Sequence, residues 1–210
     1  MQASFSFLAA ENLACRRGER LLFRKLSFRL EAGSACHVTG ANGAGKTTLL
    51  RALAGLTTPY AGSVTRKGAL DLVDDRTGLD PDLPLGKALA FWAKIDLNSP
   101  IMFEAYCDRL GLNNLLEVPM RYLSTGQKKR AALARMMIWG ADIWLLDEPL
   151  SGLDTASQAL VSELVREHCS YRGIALIASH QPLDVPGMTS FAIEDYAPAQ
   201  EDFGSEEEDA

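Results

Sequence analysis

One short segment restricts the fold of this chain more than any other: Thr39–Leu56, TGANGAGKTTLLRALAGL. It places three glycines and a lysine within seven residues, directly before a strong helix former. Glycine is costly inside regular structure, so another demand must outweigh that cost. A loop that wraps a phosphate is such a demand, because bare glycines let backbone N–H groups point inward at the anion.

The loop residues fit the pattern G-x-x-x-x-G-K-[ST], and they lie between a predicted strand, Ala35–Thr39, and a helix predicted over about 46–54. The amino end of that helix adds unpaired N–H donors and a positive dipole. We expect Lys46 to reach the β- and γ-phosphates of a nucleotide and the Thr47 hydroxyl to bind Mg²⁺. The strand–loop–helix context disfavours the alternative of a flexible turn. The predicted nucleotide-binding set is Gly40, Ala41, Asn42, Gly43, Ala44, Gly45, Lys46, Thr47 and Thr48.

Two acids follow a second apolar strand. Asp147 ends the predicted strand Ile143–Asp147, and Glu148 comes next. An acid at this edge faces the same crevice as the phosphate loop, so Asp147 can hold Mg²⁺ through water and Glu148 can polarise an attacking water. Two neighbouring acids could instead form a solvated turn, but the phosphate loop favours the catalytic interpretation.

The remaining pattern predicts an α/β fold. Further strands are predicted at Leu21–Leu30 and Gly173–Ser179, a loop at Asp71–Pro84, and helices at about 85–94, 103–110, 126–139 and 155–168. Continuously apolar strands separated by helices indicate a parallel sheet covered by helices. Ligands of such sheets bind beyond the carboxyl ends of the strands.

The net charge of −6 does not describe the body of the chain. Residues 201–210, EDFGSEEEDA, hold six of the 27 acids and no base, and 27 minus 6 leaves 21 acids against 21 bases. We interpret residues 201–210 as an acidic, disordered tail. A neutral body offers no electrostatic footprint for nucleic acid, so we expect no nucleic-acid partner.

Five motifs in order resemble the ABC ATPase family. After the phosphate loop come a signature-like segment (Leu123, Ser124, Thr125, Gly126, Gln127), the acids Asp147 and Glu148, a D-loop with Asp154, and His180. The family signature normally reads LSGGQ, so Thr125 departs from it. The resemblance implies a P-loop NTPase core of mainly parallel sheet with an antiparallel β portion. It also implies one domain over 1–200 with a small helical insert at about 85–125.

The family resemblance also implies a mechanism and partners. Two domains of this family face head to tail and trap two ATP molecules, so the signature would meet the γ-phosphate of the partner copy and the chain would form a C₂ homodimer. Asp154 would lie near that interface, and His180 would contact the γ-phosphate and help Glu148 order the water. ATP and Mg²⁺ are the implied cofactors. The insert would dock on an integral membrane subunit, with Phe91, Trp92 and Phe103 expected in its core rather than in the docking groove.

Two positions depart from the pattern of transport members. Those members carry a glutamine between the core and the insert, whereas the equivalent zone here, LVDDRTG (72–78), has none. Either Asp75 or Arg76 stands in for it, or the coupling to the membrane partner differs. The family also stacks adenine on an aromatic residue near position 16, where this chain has Cys15, Arg16 and Arg17. An arginine plane could stack on the base instead.

Within the family, this chain resembles the ATP-binding subunits of haem exporters in cytochrome c maturation. Four features carry this resemblance: the short chain, the HQPL switch region from His180, the lack of an aromatic residue near Cys15, and the phosphate-loop sequence. This resemblance implies a peripheral protein on the cytoplasmic side of the inner membrane. The chain itself has no evident haem site, since His37, His168 and His180 form no ligand pair and C-x-x-C-H is absent. An ATPase of another small bacterial exporter and a soluble, non-transport ABC ATPase remain the alternatives.

Overall fold

The computed structural model describes residues 6–95 and 100–198, so the acidic segment 201–210 lies outside the described residues. The strands are β1 (Phe7–Arg17), β2 (Arg20–Glu31), β3 (Ala35–Thr39), β4 (Ala61–Lys67), β5 (Leu70–Val73), β6 (Ile143–Asp147), β7 (Ile174–Ala178) and β8 (Thr189–Ala192). The helices are α1 (Lys46–Leu53), α2 (Leu85–Ile95), α3 (Pro100–Arg109), α4 (Thr125–Trp139) and α5 (Thr155–Ser170), with short 3₁₀ helices at Asn113–Leu115, Met120–Tyr122 and Ile193–Tyr196.

A five-stranded parallel sheet forms the centre of the fold, in the order β5-β6-β7-β3-β8. Its strands therefore end at one common edge. β3 leads there into the glycine loop, β6 ends at Asp147, and β7 runs into Ser179 and His180. The predicted α/β fold is confirmed, and the topology brings three separate chemical segments to the same edge.

Alternating side chains of β6 enter two different cores. Trp144 and Leu146 pack in the core that includes α4 and the helical insert. Ile143 and Leu145 pack on the other face, against α1 and the antiparallel strands. This alternation follows from the period of two in an extended strand. Both faces of the strand are covered, which explains why its sequence is continuously apolar.

The antiparallel β portion is a three-stranded sheet in the order β2-β1-β4. Leu8, Leu13 and Phe23 of this sheet are fully buried against the core that contains α1. The sheet ends near the glycine loop, with Arg16 and Arg17 at the carboxyl end of β1.

The helices α2 and α3 of the insert pack on α4 through buried Leu85, Leu89 and Leu110. Trp92 and Phe103 are partly buried against this core, as expected. The expectation for Phe91 is wrong: its side chain is 60% exposed, and its ring meets the Trp92 ring edge-on. Helical periodicity turns Phe91 away from the face that α4 covers.

The predicted loop at Asp71–Pro84 is wrong at its start, where residues 71–73 belong to β5. Asp71 is buried and forms an ion pair of 2.9 Å with Arg135 of α4. The Arg135 guanidinium also lies 4.9 Å from the centroid of the Trp92 ring. A charged residue argues against a buried strand when the sequence is read alone. The residue that pairs with Asp71, Arg135, lies 64 residues further along the chain, so the sequence gives no local sign of the ion pair.

No helix in the described ranges 6–95 and 100–198 is long and apolar enough to cross a membrane.

His168 is predicted to make stability depend on pH. Its ring stacks on Trp144 at a centroid distance of 3.9 Å, and burial lowers its pKa to about 4 from an ordinary 6.5. The unfolded chain therefore takes up this proton at a higher pH than the folded one, so stability falls as pH drops from 6.5 towards 4. Between pH 7 and 5 the contribution of His168 should fall by about 2 kcal/mol.

Urea unfolding of the unaltered chain and of His168→Gln at pH 7 and pH 5 measures this contribution. The variant should lose about 2 kcal/mol less stability than the unaltered chain on acidification. An equal loss in both would show that His168 is not the group responsible.

Candidate nucleotide-hydrolysis site

The glycine loop joins β3 to α1 with its backbone in an unusual conformation. Gly40, Gly43 and Gly45 all have positive φ, and Gly45 (φ 115°) directly precedes α1. Because α1 begins at Lys46, the N–H groups of its first turn have no acceptor within the helix. The loop and the helix end thus offer a concave array of N–H donors suited to phosphate oxygens.

The side chain of Lys46, the first residue of α1, folds back over the glycine loop. Its side chain is only 6% exposed, and its Nζ donates to Gly40 O at 2.6 Å and Ala41 O at 3.2 Å. The same Nζ is 3.9 Å from Glu148 Oε1. The ammonium therefore stands between the loop and the predicted catalytic acid, where phosphate oxygens could replace the two carbonyls as its partners.

Thr47 and Asp147 meet across 100 residues of sequence. The Thr47 hydroxyl donates to Asp147 Oδ2 at 2.6 Å, while the other carboxylate oxygen, Oδ1, is buried and has no partner. The pKa of Asp147 is raised, first by burial and further by the nearby charges of Glu148 and Asp74, with the Thr47 hydrogen bond opposing the rise. A hydroxyl, an unpaired oxygen and an excess of negative charge suit a hard divalent cation.

The structure also brings Glu148 and His180 together. His180 Nδ1 lies 2.8 Å from Glu148 Oε2. Glu148 adopts a positive φ of 46°, which is uncommon for a residue with a side chain and points to a functional constraint. Lys129 of α4 stabilises this turn, since its Nζ donates to Glu148 O and also to Ser151 O at 3.3 Å. Lys129 was not among the residues expected in the site, although Lys128 and Lys129 directly follow the signature segment.

Part of this set lines an open cleft of about 870 Å³, and Lys46 lines a smaller adjoining cleft with Thr47, Asp147 and Glu148. Thr47, Thr48, Asp147 and Glu148 form one side, and Thr125, Lys128 and Lys129 of α4 also line it. Of the signature residues, all of which lie in the described ranges, Thr125 alone lines the cleft. Ser124 and Gly126 line neither this cleft nor the smaller one at Asn42, Gly43, Gly45 and Lys46 of their own phosphate loop.

Ser124 and Gln127 form a capping box at the start of α4. The Ser124 hydroxyl accepts from Gln127 N at 3.2 Å, and Gln127 Oε1 accepts from Ser124 N at 2.8 Å. Leu123 beside them is buried, and an added Cβ at Gly126 would lie 3.2 Å from Gly152 O. The segment thus presents the amino end of α4 in a fixed orientation.

Asp154 caps α5 in a similar way, because its Oδ1 accepts from Ser157 N at 2.7 Å. This hydrogen bond is the largest cause of its lowered pKa. The residue is exposed beside the signature segment, so a structural cap and the predicted place near a dimer interface are compatible.

The segment 72–78, which lacks the glutamine of transport members, contains an ion-paired acid that was not among the predicted site residues. Asp74 is buried, pairs with Arg51 of α1 at 2.8 Å and accepts from Arg76 N at 2.8 Å. It is near enough to Asp147 to raise the pKa of that acid. Asp75 lines the cleft but is largely exposed, and Arg76 is exposed outside it. Asp74 is therefore better placed than either candidate to link this zone to the site.

Arg16 and Arg17 line the end of the cleft beyond the phosphate loop. The Arg16 guanidinium lies 5.2 Å from the centroid of the Tyr60 ring. An aromatic residue is thus present near position 16 after all, but it comes from the segment before β4.

The strand–loop–helix segment with an acid at the end of a neighbouring parallel strand defines a P-loop nucleotide hydrolase. Residues 23–151 match the family described as ABC transporter, and the chain belongs to this family as an ABC-type ATPase. It is 50% identical over 191 residues, 91% of this chain and 97% of the relative, to the cytochrome c biogenesis ATP-binding export protein CcmA of Novosphingobium aromaticivorans. It is 45% identical over 181 residues, 86% of this chain and 93% of the relative, to the protein of the same name in Sphingopyxis alaskensis.

Among solved structures, the fold is similar to that of an inward-facing ABC transporter assigned to the metal-chelate type. The TM-score is 0.75 and the sequence identity 26%, and the match covers 90% of this chain and 80% of that chain.

Proposed function

We propose that this chain is the ATP-hydrolysing subunit of an export complex that serves cytochrome c biogenesis. The observation that carries the hydrolytic part is the convergence of Lys46, Glu148 and His180 at the end of the parallel sheet. The loop N–H groups and Lys46 bind the β- and γ-phosphates. Glu148 accepts a proton from the attacking water, and His180 orients the Glu148 carboxylate and contacts the γ-phosphate.

Mg²⁺ fits the donor set of this site. Thr47 and Asp147 would hold it, and Asp147 Oδ1 supplies an oxygen that has no hydrogen-bond partner among the described residues. Within the described residues no group of three or more His, Cys, Asp or Glu side chains could hold a metal ion alone. This agrees with Mg²⁺ sites that use one or two protein oxygens and complete themselves with substrate phosphates and water. The ion, when bound, neutralises charge on the phosphates during transfer.

The working form is a head-to-tail homodimer in which each signature segment completes the nucleotide site of the other copy. The placement of Ser124 and Gly126 away from their own phosphate loop supports this arrangement. The capping box supports it too, because the start of α4 is fixed as a helix amino end that can face a γ-phosphate. ATP favours the closed pair because it makes the signature contacts only in that state.

Arg16 and Arg17 hold the base of the nucleotide in place of the usual aromatic residue. The Arg16 guanidinium lies 5.2 Å from the centroid of the Tyr60 ring, and its plane offers a flat cationic surface on which a base can stack. Arg16 lines the same cleft as Thr47 and Thr48.

The export role rests on the relatives. They share almost their whole length with this chain, and their name combines ATP binding, export and cytochrome c biogenesis. Haem as the exported group is the finer proposal, supported by the phosphate-loop and HQPL resemblance. The chain would then lie on the cytoplasmic side of the inner membrane, held there by an integral membrane subunit.

The helical insert is the proposed docking face for that subunit. Phe91 is an exposed aromatic on α2, and beside it a cleft of about 470 Å³ runs between the insert and the sheet. Trp92, Arg135 and the exposed Leu56 contribute to this cleft. The apolar side chains of this lining, together with the exposed Phe91, suit the apolar face of a short helix from a membrane protein.

Co-purification tests the proposed function. A tagged chain isolated from detergent-solubilised membranes should bring an integral membrane protein with it. A strain that lacks the gene for this chain should have no c-type cytochromes detectable by haem staining. Phe91→Asp should lose the partner but keep ATP hydrolysis. Tyr171→Asp alters an even more exposed aromatic residue, 80% exposed and directly after the end of α5, and is the matched control that should keep both.

Two outcomes would contradict this proposal. Isolation of the chain without any membrane protein would favour a soluble, non-transport ABC ATPase. A membrane partner together with normal c-type cytochromes in the deletion strain would favour another exporter.

A further inference from the structure

The first peptide of the phosphate loop is held by a residue from a distant part of the chain. Glu194 lies in the 3₁₀ helix Ile193–Tyr196, and its Oε1 accepts a hydrogen bond from Ala41 N. This helix directly follows β8, which pairs with β3 through Thr39 and Ala192. The sheet thus carries Glu194 to the side of the loop.

Gly40 allows this close approach. An added Cβ at Gly40 would lie 2.5 and 2.8 Å from the two carboxylate oxygens of Glu194 and 2.8 Å from Ile193 Cγ2. Ile193 is 1% exposed and cannot move aside readily. Gly40 also has a φ of 142°, a conformation that a side chain would strain. The first glycine of the motif is therefore needed here for contact with the 3₁₀ helix as well as for the path of the loop.

Lys46 and Glu194 hold the same two residues from different sides. Lys46 donates to the carbonyls of Gly40 and Ala41, while Glu194 accepts from the Ala41 N–H. Under the proposed function, Lys46 gives its donors to phosphate oxygens when nucleotide binds. The Glu194 contact requires no such exchange, because the Ala41 N–H already has its acceptor.

From this geometry we propose that Glu194 is a positioning residue that keeps the phosphate loop in its binding conformation before nucleotide arrives. The inference rests on the proposed nucleotide-binding function. A loop with three glycines has much conformational freedom, and ordering it during binding would cost affinity. A contact that orders the loop before the nucleotide arrives removes this entropy loss from the binding step, so the nucleotide binds more tightly.

The proposal predicts a selective loss of affinity. Hydrogen bonds to charged groups are strong enough that Glu194→Ala should weaken Mg·ADP binding and raise the KM for ATP about tenfold. The kcat should stay within about twofold, because Glu194 does not touch the reacting atoms. Glu194→Gln keeps an acceptor of the same shape and should restore most of the affinity.

Titration calorimetry with Mg·ADP, steady-state ATPase assays and thermal unfolding without nucleotide test this proposal. Asp195→Ala is the matched control, since it removes an exposed acid from the same 3₁₀ helix and should bind ADP normally. Equal ADP affinity of Glu194→Ala and the unaltered chain would overturn the proposal, as would a Gln variant as weak as the Ala variant. A lower unfolding midpoint with unchanged affinity would show a merely structural contact and would also overturn it.

Failure of this inference is distinguishable from failure of the proposed function. Loss of ADP binding by the unaltered chain would overturn both. Normal binding by the unaltered chain and by all three variants would overturn the role of Glu194 alone.

Discussion

Glu148→Gln is expected to bind ATP normally and to hydrolyse it at least about a hundredfold more slowly than the unaltered chain. The Glu148 carboxylate lies 2.8 Å from His180 Nδ1 and 3.9 Å from the Lys46 ammonium, at the edge where the attacking water must stand. An amide of the same shape keeps the packing but cannot accept the proton of that water. Nucleotide binding should survive, because the proposed function assigns the phosphates to the loop and to Lys46 rather than to Glu148.

Single-turnover hydrolysis and ATP binding, measured on the same preparation, check this prediction. Gel filtration with Mg·ATP should also show that the dimer accumulates, because the closed dimer cannot reopen when its ATP is not hydrolysed. Glu117→Gln, which alters an exposed acid in the segment before α4, is the control and should hydrolyse ATP at the normal rate. Near-normal turnover of Glu148→Gln would remove Glu148 from its proposed role.

Lys46→Ala is expected to lower nucleotide affinity about a hundredfold and to abolish hydrolysis, since two charge-assisted hydrogen bonds to phosphate are lost. The Lys46 ammonium is almost completely buried at the loop and hydrogen-bonds to Gly40 O at 2.6 Å. The substitution removes the positive charge that lies 3.9 Å from the Glu148 carboxylate and leaves the carbonyls of Gly40 and Ala41 without this donor.

Calorimetry with Mg·ADP measures the effect of Lys46→Ala, and circular dichroism confirms that the variant is folded. Lys67→Ala removes an exposed lysine from β4, outside the cleft, and should bind nucleotide like the unaltered chain. Unchanged affinity of a folded Lys46→Ala variant would contradict the assigned phosphate contact.

The core of the site could be predicted from the sequence because its signals are local. β3, α1 and β6 were expected within one residue of their observed bounds, since each is a continuous apolar or helical run next to a motif. The pairs Thr47–Asp147 and Glu148–His180 follow once the strands are parallel, because their ends meet at one edge.

Besides β5, whose acid was read as part of a loop, three strands were not predicted from the sequence, for physical reasons. β1 contains register shifts between Ala10 and Leu13 and again before Arg16, and these bulges break the alternation that marks a strand. β4 is exposed along most of its length and has no buried face to mark it. β8 has four residues, none of them fully buried, and depends on pairing with β3.

Some contacts of the site could not have been found from local patterns. Glu194 reaches Ala41 across 153 residues, and Arg51 pairs with Asp74 across 23. Lys129 holds the turn after β6 from the opposite side of the cleft. Each of these depends on tertiary placement, and each would pass for an ordinary surface charge in the sequence.

The central claim is that each nucleotide site is built from two copies of this chain, and complementation between two inactive variants tests it most directly. Lys46→Ala disables the phosphate loop. Ser124→Asp keeps a residue able to cap α4 but places a negative charge opposite the γ-phosphate of the other copy. Each variant alone should be inactive, because every site in its homodimer carries the defect.

A mixed dimer of the two variants holds one site with both defects and one site with neither. ATPase activity of an equimolar mixture should therefore recover to about a quarter of that of the unaltered chain if the subunits exchange freely and each site acts alone. A mixture in which crosslinking demonstrates mixed dimers, yet which stays as inactive as its two components, would contradict a nucleotide site shared between two copies.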